Sequence, residues 1–113
     1  MKREIVQLKK FKKDLNNLLE KKKILNDDFE DFKKELSGNP EKGDLIQGTG
    51  GVRKIRLKSS SGGKSGGFRI CYYYFLRNER IFLILIYPKN VQENLTAQEK
   101  TFLKEVTNEI KKS

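Results

Sequence analysis

Apolar residues fall in short blocks whose period changes along the chain. "REIVQL" at 3–8 has a short apolar centre and predicts a strand. In the next segment, "KKFKKDLNNLLEKKKIL", Phe11, Leu15, Leu18, Leu19 and Leu25 recur at helical spacing with lysines elsewhere. The lysines at 21–23 read as a solvated helix end, favoured by the dipole. "NDDFEDFKKELSGNP" predicts a second helix with Phe29, Phe32 and Leu36 as its apolar stripe. Asp27 with Glu30 suggests a capping box, and Gly38 and Pro40 supply the stop. The two helices are expected to pair as a hairpin.

After Gly43 the period drops to two. In "VRKIRLK" at 52–58, Ile55 and Leu57 point to one face and Lys54, Arg56 and Lys58 to the other, with Val52 loosely in register. "SSSGGKSGG" at 59–67 has no core-forming residues and reads as a flexible loop. "FRICYYYFL" at 68–76 and "IFLILIYPK" at 81–89 are strands joined by "RNER". Both are apolar on two faces, so they belong at the covered centre of a sheet. Tyr72 and Tyr74 are assigned to the core against the helices. Tyr73 points the other way; it alone of the three is a candidate to lie near nucleic acid, with core the favoured reading. A final helix follows Thr96, whose box partner is Glu99; Phe102, Leu103, Val106 and Ile110 form its stripe. The order is strand, two helices, three antiparallel strands, helix. That is an α+β fold, one domain over 1–113, with helices packed on a small antiparallel sheet.

Charge sharpens the picture. The chain has 113 residues and a net charge of +10, which favours a polyanionic partner. Residues 1–43 are net +3, residues 44–96 net +6 and the tail net +1, so the excess sits in the sheet. From Leu45 to Asn78 there are seven cations and no carboxylate. Lys54, Arg56 and Lys58 lie about 7 Å apart along one strand. At an effective dielectric near 20, each adjacent pair repels by roughly 2 kcal/mol. Arg69, Tyr87 and Lys89 fall on the same predicted face. Alternating cations often mark nothing more than a solvated face. The missing acids and the Gly-rich loop carrying Lys64 point instead to a phosphate backbone.

Absences narrow the chemistry. With no histidine, the paired-histidine nucleases and most zinc enzymes are excluded. Cys71 is the sole cysteine, so no internal disulfide forms and a reducing compartment fits. The apolar run at 81–87 is too short to span a bilayer as a helix. The expected location is the cytoplasm.

The stretch "GDLIQGTGGVRKIRLKSSSGGKSGGFRICYYYFLRNERIFLILIYPKNVQENLTAQEK" resembles the RelE/HigB toxins of bacterial toxin–antitoxin pairs. It is most similar to the subgroup with "GTGGxRKxR", "GKxGGxRxxYYY" and "IYxKNxxxxLT" blocks. The resemblance is close over 43–106 and covers the N-terminal helices in order and length. It implies a RelE-like fold and cleavage of messenger RNA in the ribosomal A site, through attack of a ribose 2′-OH on the adjacent phosphate. By position it makes Lys54, Arg56, Arg69 and Lys89 the candidate catalytic residues, with Lys54 the candidate base. Arg53, Lys58, Lys64, Tyr87 and Asn90 are candidate RNA contacts. The sequence departs from the family in having Asn90 where an arginine is common, and no tyrosine beyond Tyr87, which is the candidate substitute. A helix-turn-helix antitoxin is the implied partner, with operator DNA bound only through the complex. No metal, organic cofactor or membrane is implied. Two alternatives stay open: a gyrase poison of the ParE type, and a non-catalytic RNA- or ribosome-binding module.

Overall fold

The computed structural model describes residues 3–58, 67–89 and 94–112. Its elements are β1 (Glu4–Gln7), α1 (Lys9–Glu20), α2 (Asn26–Gly38), β2 (Asp44–Leu45), β3 (Arg53–Leu57), β4 (Phe68–Phe75), β5 (Arg80–Pro88) and α3 (Ala97–Lys112). Five strands form one sheet in the order β1-β5-β4-β3-β2. The α+β class holds, but the sheet is mixed. β1 lies parallel to β5, whereas the remaining neighbours are antiparallel. β2, a strand of two residues, has no counterpart in the sequence reading.

Helices cover both faces. On one side, α1 and α2 bury Phe11, Leu15, Phe29, Phe32 and Leu36 against Leu57, Ile70, Tyr72, Ile81 and Leu83. The Phe11 and Phe29 rings meet at 6.2 Å between centroids, which joins the helix pair. On the other side, α3 sets Leu103 against Val52, Cys71, Tyr73, Ile84, Leu85 and Tyr87. β4 and β5 are therefore central, and buried on both faces as their unbroken apolar runs require. The three tyrosines divide as alternation dictates, with Tyr72 and Tyr74 on the helix-pair side and Tyr73 under α3. A bulge at Cys71/Tyr72 pairs Cys71 with Leu85 and Tyr72 with Leu83, leaving Ile84 as the extra residue.

Two helix ends differ from expectation. α1 stops at Glu20 because Lys22 takes a left-handed conformation, with φ 56°. The Lys23 N–H then donates to the Leu18 carbonyl and the Lys22 N–H to the Leu19 carbonyl, closing the helix. Leu25 therefore leaves the apolar stripe and is 42% exposed, while Ile24 enters the core. α2 begins at Asn26, so Asp27 already lies inside its first turn and cannot cap it. Glu30 pairs instead with Lys33 at 2.8 Å. At α3 the capping box forms as read: the Thr96 N–H donates to Glu99 Oε1 at 2.8 Å, and the Glu99 N–H to Thr96 Oγ1 at 3.1 Å.

Candidate nucleic-acid interface

Strand alternation decides which cations share a face. In the β3–β4 ladder Lys54 pairs with Cys71 and Arg56 with Arg69, and in the β4–β5 ladder Arg69 pairs with Tyr87. Lys54, Arg56, Arg69 and Tyr87 thus lie on one side of the sheet, the side that α3 packs on. α3 covers the Cys71–Tyr73 end of that side. At the opposite end Arg56 is exposed, and Lys54 and Arg69 are half-buried. Lys54, Arg56 and Arg69 line one cavity of about 240 Å³. Lys58 follows β3 and is exposed. Lys89 follows β5, where its N–H donates to the Gly67 carbonyl at 3.1 Å. Among the described residues, no carboxylate forms an ion pair with Lys54, Arg56, Lys58 or Lys89.

Arg53 stands apart from this group. It is one residue out of phase, so its side chain lies on the helix-pair side. There Nη1 donates to the Glu41 carbonyl at 2.9 Å and to the Gly43 carbonyl at 2.7 Å, and Nη2 lies 3.5 Å from the Glu41 carboxylate. Its charge holds the segment ahead of β2. Lys64 and Asn90 lie outside the described residues.

Tyr87 belongs to the face but is only 9% exposed. Among the described residues its hydroxyl is buried without a hydrogen-bond partner. Burial pushes the phenol up to about 12, reinforced by the neighbouring Cys71 thiol and Glu99 carboxylate and opposed by Arg69. Burial likewise pushes the Cys71 thiol up to about 12, against the pull of Lys54. Both groups stay neutral and act as packing beneath the cations.

The face is not purely cationic. β2 pairs antiparallel with β3 so that Asp44 sits opposite Lys54, on the same side of the sheet. Asp44 borders the cavity that holds Lys54, Arg56 and Arg69. Glu99, in the first turn of α3, is the second acid whose field reaches this side, acting on Cys71 and Tyr87. Asp44 immediately precedes the acid-free stretch, which hid it from a reading by charge. Its signal was the "GTGG" turn at 48–51, which folds 44–46 back on 52–54. The Ile46 N–H donates to the Val52 carbonyl at 2.9 Å, and Thr49 Oγ1 bridges the Ile46 carbonyl and the Val52 N–H. Gly50, at φ 78°, lies under α3, where an added Cβ would come within 2.7 Å of Thr107 Oγ1.

Among the described residues, no group of three or more His, Cys, Asp or Glu side chains is placed to hold a metal ion. No described helix is long and apolar enough to cross a membrane.

A family model described as the RelE toxin of the RelE/RelB toxin–antitoxin system matches residues 4–113. The fold is similar to a solved structure of a mutant E. coli toxin RelE in the free state. The TM-score is 0.60 at 18% identity, covering 82% of this chain and 90% of that one.

Proposed function

This chain belongs to the RelE family of toxins from toxin–antitoxin systems, and on that premise we propose that it is a ribosome-dependent endoribonuclease of translated messenger RNA. The observation that carries the reading is the shared placement of Lys54, Arg56 and Arg69 around one cavity on one side of the sheet. Guanidinium forks match the oxygens of a phosphate and of the phosphorane formed from it. Arg56 and Arg69 are the phosphate clamp. Lys58 and Lys89, both exposed, guide the flanking backbone. Tyr87 supports the clamp from beneath, packed within the α3-side core. Alignment of the message by the ribosome supplies several kcal/mol of the barrier reduction. An antitoxin that covers this face silences the chain.

Primer extension on a translated message after brief induction tests the reading. New 5′ ends at codon boundaries are expected with the parent chain, and their loss with Arg56→Ala and with Arg69→Ala. Uncut message in the parent would defeat the proposal, and broken DNA beside intact message would favour a gyrase poison.

A further inference from the structure

We propose that Asp44 is the general base that takes the ribose 2′ proton; this assignment rests on the endoribonuclease reading above. Histidine, the usual residue for this task, is absent from the chain. At neutral pH a carboxylate is already in its proton-accepting form, whereas an ammonium must first lose a proton. Asp44 is the carboxylate that lines the cavity holding Lys54, Arg56 and Arg69 together, whereas Asp28, Asp31 and Glu35 share a separate cavity with Arg56 and Lys58 on the α2 side. Its Cα partner across the β2–β3 ladder is Lys54, and such directly opposed residues have Cβ atoms about 5 Å apart. Asp44 is exposed, and among the described residues no hydrogen bond or ion pair engages its carboxylate.

Two cavities meet at this pair. One, of about 240 Å³, holds Arg56 and Arg69 as well as Asp44 and Lys54. The other, of about 360 Å³, is shared by the same two residues with Gln47, Asn94 and Lys100. A scissile phosphate in the first cavity and the neighbouring nucleoside in the second place the ribose at the junction, within reach of Asp44. The backbone that carries Asp44 is braced from the reverse face. The Gly43 N–H donates to Tyr72 Oη at 2.9 Å, and the Gly43 carbonyl accepts Arg53 Nη1 at 2.7 Å. Positioning of this kind is what a base needs in order to act on one oxygen.

The step balances within the site. The Asp44 carboxylate accepts the 2′-OH proton as the O2′–P bond forms. The P–O5′ bond then breaks, and the Lys54 ammonium gives its proton to the departing O5′. The products are a 2′,3′-cyclic phosphate and a 5′-OH, and solvent returns the proton from Asp44 to Lys54. Lys54 is thereby the acid of the pair rather than its base.

The test uses the full chain with programmed ribosomes under single-turnover conditions. Asp44→Asn is expected to slow cleavage by about 100-fold or more, the usual worth of a positioned base, with ribosome affinity within about twofold of the parent. Asp44→Glu should recover at least about tenfold of that loss, which separates a proton-transfer role from a folding defect. A message with a 5′-bridging sulfur at the cleavage site distinguishes base from acid, because the departing thiolate needs no proton. On it Asp44→Asn should stay slow while Lys54→Met recovers. Cleavage by Asp44→Asn within about threefold of the parent, or its rescue by the sulfur substrate, overturns the assignment and leaves the endoribonuclease reading standing. A parent chain that never cuts overturns both.

Discussion

Tyr72 shows how a core residue braces the backbone at the edge of the sheet. Its ring is fully buried, yet its hydroxyl accepts the Gly43 N–H and donates to the Pro40 carbonyl at 2.8 Å. Glycine is required at 43, because a Cβ there would lie 2.9 Å from the tyrosine ring and hydroxyl and 3.0 Å from the Lys54 carbonyl. Tyr72→Phe keeps the packing but strips a buried N–H and a buried carbonyl of their partner. Denaturant titration is expected to report a loss of about 1–3 kcal/mol, and an unchanged midpoint would show that water satisfies both groups. That Tyr72 belongs in the core was legible from alternation. Its hydroxyl partners, 29 and 32 residues away, were not, since no local pattern encodes a contact across that distance. Arg53 teaches the same lesson: charge alone could not separate it from Lys54, but one step of the pleat did.

Among the elements, α1, α2, β3, β4, β5 and α3 all carry a periodic pattern long enough to read. β2 does not, because two residues have no period; it exists only because the Gly48–Gly51 turn returns the chain to β3. The two candidate capping boxes make a useful contrast. The one at Asp27 and Glu30 failed since Leu25 already delivers the chain into helical conformation at Asn26. The one at Thr96 and Glu99 formed, and it fixes where α3 starts, near the cavity that Lys100 shares with Asp44 and Lys54. Thr96→Ala removes the side-chain acceptor of the Glu99 N–H. Thermal unfolding should show a cost of about 1 kcal/mol, typical of a lost N-cap, and a melting point identical to the parent's would mean that solvent replaces the cap.

For the molecule as a whole, the net charge of +10 favours a polyanionic partner, which on the proposed function is the ribosome. Binding to a phosphate polyanion weakens with salt in proportion to the phosphates neutralised. Lys58 lies beyond the clamp and is exposed, so Lys58→Ala should weaken ribosome binding and reduce the slope of log affinity against log salt by about one. Cleavage of already bound message should change little; an unaltered slope would remove Lys58 from the RNA path. The cationic face itself was legible because alternation on β3 is strict and no acid interrupts it. Its acids were not, because Asp44 and Glu99 arrive from a strand of two residues and from a helix placed only by tertiary packing. The topology also bears on synthesis. β5 is the common neighbour of β1 and β4, yet it is made after both. A nascent chain that ends before Arg80 leaves Glu4–Gln7 and Phe68–Phe75 without the strand that aligns them. A nascent chain is therefore denied the assembled sheet, and with it the cationic face, until β5 has been made.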